Sequence, residues 1–479
     1  MKCKLFFLLS FVFAVTSMQA AYDFYALNDD GIRFYYSIQP GSGNRVMVEK
    51  AEVLYTGVIN IPDSVTYEGE VYVVATIGES AFAGCNITAV HIPDSLKTIR
   101  EYAFAGCYNL TDVIIPDGVT TIRNDAFRQC SSLKSVSFGK NITTIGSCAF
   151  YECTKLESIA LGDKVTSVDY QVFIRCSGLK SIILPESLTE ISDYVFSGCR
   201  SLESIIIPNS ITKIGEGAFG SCESLSVIAI PDNVTSIGSW AFADCHNVRQ
   251  VLIGNNLTSI GERAFNDCLK LEQFLVSVDN MQYSTLSNIL VSKDKTVLVN
   301  YPQAKSSIVR IPDEITTIGE WAFTAQTNIT EVIMSDNIKT ICPDAFYDCK
   351  GLTDITFGNG VDSIGKRAFM GCLGLEEIEL PARLSCIEDS VFFDCRNLKH
   401  IVVPDNITSI GANSFGFCTG MTSAIIGDGV VSIGGSAFAG CHGLTKINIP
   451  HNVISIGVDA FNDCRNVTES NYSGTIIKS

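Results

Sequence analysis

The chain has 479 residues, of which 46% are hydrophobic, and it carries a formal net charge of −17 at pH 7. A surface this acidic repels phosphate backbones, so no nucleic acid is expected as a partner, and it disfavours electrostatic docking on an anionic membrane. Beyond the first twenty residues, no apolar run of the sequence approaches the roughly 18 residues that a membrane-spanning helix needs.

Residues 1–20 predict a signal peptide for export. Lys2 and Lys4 precede the apolar run LFFLLSFVFAV, which is too short to span a bilayer, and small residues lie near Ala20 and Ala21. A membrane anchor is the alternative, and the length of the run disfavours it. The sequence shows no second hydrophobic segment near its C-terminus. We therefore expect a secreted or cell-surface protein with no transmembrane segment after signal cleavage.

Residues 21–76 do not follow the period of the rest of the chain, and they predict a β-rich N-terminal cap. Apolar and polar positions alternate around Ile32, Phe34 and Tyr36, as in a strand. A stack of coils needs such a cap, because its first coil otherwise exposes an apolar end and an unpaired edge. A separate binding module is the alternative interpretation of this segment.

After the cap the chain repeats itself every 23 residues, which is the signature of a solenoid. A solenoid presents one long surface rather than a central cleft, and this favours binding over catalysis. The period predicts about sixteen coils, divided between a first block at 77–276 and a second block at 311–469. One phenylalanine marks each coil: Phe82, Phe104, Phe127, Phe150, Phe173, Phe196, Phe219, Phe242 and Phe265, then Phe323, Phe346, Phe369, Phe392, Phe415, Phe438 and Phe461.

Residues 107–129, CYNLTDVIIPDGVTTIRNDAFRQ, show how one coil is built. Leu110, Val113 and Ile115 give an L-x-x-L-x-L pattern, whose alternation predicts a strand with inward apolar residues. Pro116 ends this strand, because it cannot donate to a ladder and fixes its own backbone angle. When the coils stack in register, such strands pair in parallel about 4.8 Å apart.

The segment LTDVIIPDGVTTIRNDAFRQC resembles the leucine-rich repeat of the BspA-like surface-protein family, and the same unit recurs from about Ala81 to Asn466. The resemblance implies a leucine-rich-repeat solenoid on exported proteins of bacteria or protists, which are often credited with adhesion to host proteins or other cells. Members of that family share a repeat unit rather than a ligand site, so the resemblance implies no functional residue.

Fifteen of the 19 cysteines lie three residues after a repeat phenylalanine and form a column that only Gln326 interrupts. Such spacing indicates buried thiols that act as small hydrophobic residues, although stacked cysteines about 5 Å apart leave bridges between adjacent coils as an alternative. The sequence has no Cys/His cluster with zinc spacing, so neither a metal nor another cofactor is expected.

The period breaks between Phe265 and Phe323. SNILVS and TVLVNY flank the polar turn KDK and predict a β-hairpin insert at 277–310 that projects from the edge of the stack. Tyr283 and Tyr301 are its candidate contacts for a partner; an insert that simply packs against the array is the alternative. Residues 470–479 lose the apolar register, which is typical of a capping tail.

The outward positions of the predicted strands, expected on the concave side, suggest a contact surface. Their third column forms a candidate protein-binding stripe, since large exposed apolar patches mark contact surfaces. The alternative is that β-branched residues are simply favoured in strands. The stripe consists of Ile114, Ile183, Ile206, Leu252, Leu275, Ile333, Val402 and Ile425.

No pattern in the sequence predicts an enzyme: the five histidines fall on scattered repeat positions, and neither a nucleophile elbow nor a P-loop occurs. We therefore expect an exported protein that binds an extracellular protein, as an adhesin for host or neighbouring-cell proteins. A carbohydrate-capturing accessory protein and a structural surface component without a specific ligand are the alternatives, and the oligomeric state is left open.

Overall fold

The computed structural model describes residues 22–470 as a parallel β-solenoid of about 17 coils, with no helix in that range. The predicted repeat solenoid is thereby confirmed. The predicted signal peptide at 1–20 and all but the first residue of the predicted tail lie outside the described residues.

Six strands form the cap: β1 (Phe24–Leu27), β2 (Arg33–Ile38), β3 (Arg45–Glu49), β4 (Thr56–Asn60), β5 (Ser64–Tyr67) and β6 (Glu70–Ile77). β1, β2 and β3 pair antiparallel, β5 pairs antiparallel with β6, and β3 pairs in parallel with β6. Two rings of the cap, Phe34 and Tyr55, cover Phe82, the first ring of the repeat column. The prediction of a β-rich cap is confirmed.

Most coils contribute two short strands, and strands of each kind stack in parallel on those of neighbouring coils. We call the L-x-x-L-x-L segment the front strand and the following two-residue segment the side strand. β4 begins the front ladder and β6 begins the side ladder. The front strands after β4 are Asn86–His91, Asp112–Ile114, Ser135–Ser137, Ser158–Ala160, Ser181–Ile183, Val227–Ile230, Gln250–Ile253, Gln273–Val276, Ile308–Arg310, Glu331–Ile333, Asp354–Thr356, His400–Val403, Ser423–Ile426, Lys446–Asn448 and Glu469–Ser470. The side strands after β6 are Thr98–Ile99, Thr121–Ile122, Thr144–Ile145, Ser167–Val168, Glu190–Ile191, Lys213–Ile214, Ser236–Ile237, Ser259–Ile260, Thr317–Ile318, Thr340–Ile341, Ser363–Ile364, Cys386–Ile387, Ser409–Ile410, Ser432–Ile433 and Ser455–Ile456.

Two coils of the described chain lack a front strand, at residues 203–207 and 376–380. Their sequences, ESIII and EEIEL, fit the strand pattern as well as those of their neighbours. At each of these coils the ladder of paired front strands is interrupted.

The core is a stack of phenylalanine rings. Ring centroids of successive coils lie 4.7–5.7 Å apart, and the rings are nearly parallel in both blocks. Around each ring the chain turns through left-handed residues, as at Asp125 (φ 56°) and Gln129 (φ 58°) on either side of Phe127. The turns are held by bonds between coils: the Phe104 N–H donates to the Ala126 carbonyl at 2.7 Å. These bonds offset the cost of left-handed angles in residues other than glycine.

The described cysteines are free thiols, and those of the column are buried. From Cys107 onward, each column thiol donates to the carbonyl oxygen of the repeat phenylalanine in the preceding coil; for Cys130 the Sγ–O distance to Phe104 is 3.2 Å. At Gln326, which breaks the column, the side-chain Nε2 donates in the same way to the Tyr301 carbonyl at 2.6 Å. The position therefore holds a buried hydrogen-bond donor throughout.

The insert contains the predicted β-hairpin, made by Ile289–Ser292 and Val297–Asn300, together with a third strand, Tyr283–Leu286. The expectation that it projects from the stack is wrong, because Val297–Asn300 pairs in parallel with Thr317–Ile318 and takes the place of a side strand. Leu290 belongs to the hydrophobic core of the first block, whereas Ile289 and Val291 belong to that of the second. One strand thus joins both cores.

Candidate functional site

The front strands present alternate side chains to the outside of the solenoid. In Ser181–Ile183 the middle residue is buried and both flanking residues are exposed, as the period of two requires. Parallel pairing aligns equivalent positions, so that Ala160 lies beside Ile183 and Leu252 beside Leu275. Within each run of paired front strands, the outward residues consequently form columns along the solenoid.

The third outward position forms an apolar column over six consecutive coils of the first block, which we call the front stripe. It consists of Ala160, Ile183, Ile206, Ala229, Leu252 and Leu275. Ile206 and Ile183 are 85% and 66% exposed, and both leucines are exposed as well. At about 4.8 Å a coil, the front stripe is about 24 Å long.

The other predicted stripe residues are placed less regularly. Ile114 is 71% exposed, but Ser137 of the next coil separates it from the front stripe. In the second block Ile333 is half-buried, and Val402 and Ile425 are exposed neighbours. The coils between them carry Thr356 and Glu379 in this column. The eight predicted residues therefore share one column but do not form one continuous surface.

Two further columns of outward side chains lie on one side of the front stripe, first an uncharged column and then a charged one. The adjacent outward column contains Ser158, Ser181 and Ser204 in the middle of the first block. Further out, Lys180 pairs with Glu157 at 3.4 Å, in an ion pair between neighbouring coils. An apolar centre with a polar, charged rim is the usual composition of a protein interface.

The structure places the two insert tyrosines in the interior, whereas the sequence offers them as candidate contacts for a partner. Tyr283 and Tyr301 are only 8% and 3% exposed. The Tyr301 ring stacks on Phe323 at 5.1 Å and so occupies the place of a repeat phenylalanine, where burial raises the pKa of its hydroxyl to about 12. Its position 22 residues before Phe323, close to one period, is the signal in the sequence that points to this role.

Within residues 22–470, no group of three or more His, Cys, Asp or Glu side chains is placed to hold a metal ion. In that same part of the chain, no helix is long and apolar enough to cross a membrane.

Comparison with known proteins agrees with this architecture. The family model described as "BspA type Leucine rich repeat region (6 copies)" matches residues 59–180, 171–290, 301–421 and 408–478. A search among curated proteins found no matching sequence.

Solved structures of three bacterial proteins are similar along most of their length. A leucine-rich repeat protein from Bacteroides ovatus is 24% identical, with 94% of each chain covered and a TM-score of 0.47. A leucine rich cell surface protein from Faecalibacterium prausnitzii is 25% identical, with 94% of this chain and 95% of that chain covered and a TM-score of 0.45. A leucine-rich repeat protein from Eubacterium ventriosum is 20% identical, with 92% and 94% covered and a TM-score of 0.48.

The family model covers far more than half of the sequence. The chain therefore belongs to the family of BspA type leucine-rich repeat proteins.

Proposed function

We propose that this protein is exported to the cell surface or secreted, and that it binds another extracellular protein through the front stripe, as an adhesin. The observation that carries the proposal is the row of six apolar residues at the third outward position of consecutive coils, in which Ile206 and Ile183 are largely exposed. Exposed aliphatic side chains in register form an apolar patch of the kind that marks a contact surface.

Two further observations support the proposal. The F. prausnitzii relative is described as a cell surface protein, and residues 1–20 have the composition of a signal peptide. The function is one of binding without catalysis, since a flat column of aliphatic side chains supplies no acid, base or nucleophile. The insert tyrosines offer no stacking surface to a glycan, because Tyr283 and Tyr301 are buried.

The proposal is tested by measuring binding of the purified protein to an array of host extracellular proteins and glycans, followed by affinity measurements on each hit. We expect saturable binding to a protein. The variant Ile206→Asp should weaken this binding by about tenfold or more, because a carboxylate in an apolar contact must be desolvated.

Ile454→Asp is the matched control: Ile454 is 86% exposed but lies away from the front strands. Equal losses in the two variants, or unchanged binding by folded Ile206→Asp, would contradict the proposal. Hits on glycans alone would favour the carbohydrate-capturing alternative, and no hits would favour a structural surface component.

A further inference from the structure

The front face of the second block differs in chemistry from that of the first. Where the first block has Ser158, Ser181 and Ser204 beside the front stripe, the second block has Glu331, Asp354 and Glu377 in three consecutive coils. Glu331 and Asp354 lie in register on paired strands. Like charges directly opposite each other destabilise a ladder of strands. The stability of the fold therefore does not explain why these carboxylates are stacked.

These carboxylates line a groove of about 870 Å³ on the front face. The groove lies at the coil 376–380, which lacks a front strand, between the edge strands Asp354–Thr356 and His400–Val403. Glu379 also lines it, as does His400, whose Nε2 lies 3.9 Å from Glu377. Lys399 pairs instead with Glu376, and neither of these residues lines the groove.

Apolar side chains form part of the same groove. Ile355 and Ile378 occupy inward positions of the repeat that are buried in most other coils, yet both are partly exposed here. Val402 adds an exposed aliphatic side chain. The groove thus combines aliphatic surface with four carboxylates, and no lysine or arginine is among its described lining residues.

We propose that this groove, which we call the acidic groove, binds an extended segment of another protein in which lysine or arginine alternates with aliphatic residues. Charge complementarity identifies the occupant: its cations offset the stacked carboxylates, and its aliphatic side chains cover Ile355, Ile378 and Val402. In an extended segment every second side chain points the same way, at a repeat of about 6.8 Å. Such a segment carries its cations on one side and its aliphatic side chains on the other, so the two kinds of side chain contact different parts of the groove.

The first block contains a matching gap with different chemistry. Residues 203–207 also lack a front strand, but Ser204 and Ile206 stand where the second block has Glu377 and Glu379. The acidic groove is therefore a site distinct from the front stripe, and it does not depend on the function proposed for that stripe.

The test is a fluorescence anisotropy titration of the whole protein with three labelled peptides that alternate lysine with valine, lysine with serine, or glutamate with valine. We expect saturable binding of the lysine–valine peptide, weaker binding of the lysine–serine peptide and no binding of the glutamate–valine peptide. Salt should weaken the binding without abolishing it, because screening acts on the charges and not on the apolar contact.

The double variant Glu377→Gln/Glu379→Gln keeps the shape of both side chains and should weaken binding of the lysine–valine peptide by about tenfold. The control Glu190→Gln/Glu203→Gln removes the same charge from the first block and should leave the affinity unchanged. An equal loss in the control, or equal affinity for the lysine–serine peptide, would overturn the proposal, because either result means general attraction to an acidic protein.

A separate titration with Ca²⁺ alone distinguishes a metal site from a peptide site. Saturable Ca²⁺ binding that the double variant abolishes, together with no peptide binding, would also overturn the proposal. The front-stripe variant Ile206→Asp should bind the lysine–valine peptide normally, so that failure of one site is distinguishable from failure of the other.

Discussion

The thiol of Cys245 lies where a side chain must be small, apolar and able to donate a hydrogen bond. Its Sγ is 3.3 Å from the carbonyl oxygen of Phe219, and the side chain is fully buried. The amide of Gln326 makes the equivalent bond where the cysteine is missing. The column therefore selects a hydrogen-bond donor rather than the redox or metal-binding chemistry of sulfur, and burial favours the protonated form of Cys245.

This requirement predicts that the protein loses stability in alkali. Burial raises the pKa of Cys245 from its ordinary value of 9.0 to about 12. Above pH 9 the unfolded chain releases thiol protons that the folded chain retains, so the free energy of unfolding falls as the pH rises from about 9 towards 12. Urea unfolding midpoints measured under reducing conditions across this range should decrease steadily.

The double variant Cys222→Ala/Cys245→Ala distinguishes the contribution of the thiols to this pH dependence from that of lysines and tyrosines, which titrate in the same range. It should be less stable than the parent at neutral pH but lose less stability between pH 9 and 12. An identical pH dependence in both proteins would contradict a role for these thiols.

Among the elements, the insert depends on one buried amide. Asn280 stands at an inward position, where Leu257 stands one coil earlier. Its Nδ2 donates to the carbonyls of Gly254 and Leu257 at 2.8 and 3.3 Å, and its Oδ1 accepts from the N–H groups of Gln282 and Tyr283 at 2.9 and 2.7 Å. One side chain thus joins the last coil of the first block to the first strand of the insert.

Asn280→Ala should lower the free energy of unfolding by about 3 kcal/mol, because buried backbone groups lose their partners. The measurement is urea-induced unfolding followed by circular dichroism. Asn452→Ala is the control: its exposed amide makes one bond, to Asp428, and we expect a loss of less than about 1 kcal/mol. A loss at Asn280 no larger than that of the control would show that the insert does not depend on this amide.

The predictable parts of the fold are those that the period dictates. The rings at Phe127 and Phe150, the thiol at Cys130 and the outward position of Ile183 all follow from 23-residue spacing. A parallel stack repeats every environment once per coil, so one coil predicts the others.

The features of the fold that could not be predicted are those that the 23-residue repeat does not determine. Tyr301 lies within one residue of the repeat spacing but inside a segment whose other residues do not follow the repeat, and Asn280 is polar at an inward position. The missing strand at 376–380 has a sequence that fits the strand pattern, so only the structure reveals the acidic groove. For the same reason the front stripe could be predicted as a column, but its division between the blocks could not.

The described residues 22–470 contain two hydrophobic cores, and residues of the insert belong to both. In a solenoid each coil contacts only its neighbours, so stability is close to a sum over coils and the interfaces between them. Because the two cores are separate clusters, we expect each block to unfold as a unit.

Phe219→Ala should therefore destabilise the first block by about 3–5 kcal/mol and leave the second block largely unaffected. The Phe219 ring lies between Phe196 and Phe242, with centroids 5.3 and 5.2 Å away, so its loss opens a cavity inside the stack. Hydrogen exchange measured by mass spectrometry should show faster exchange in coils of the first block. Phe392→Ala should instead give faster exchange in coils of the second block. Equally faster exchange throughout the chain in both variants would contradict the expectation that the blocks unfold independently.

Oxidation of the column thiols makes the unfolding of a coil irreversible. While the coils are stacked, each thiol is buried and protonated, and an oxidant in solution cannot reach it. A coil that opens in an oxidising medium exposes neighbouring thiols together, and an oxidant can then join them in bonds that the folded geometry does not contain. Opening becomes irreversible once that reaction outpaces closing, so the working lifetime of the protein outside a reducing environment is set by the rate at which coils open, not by the free energy of unfolding.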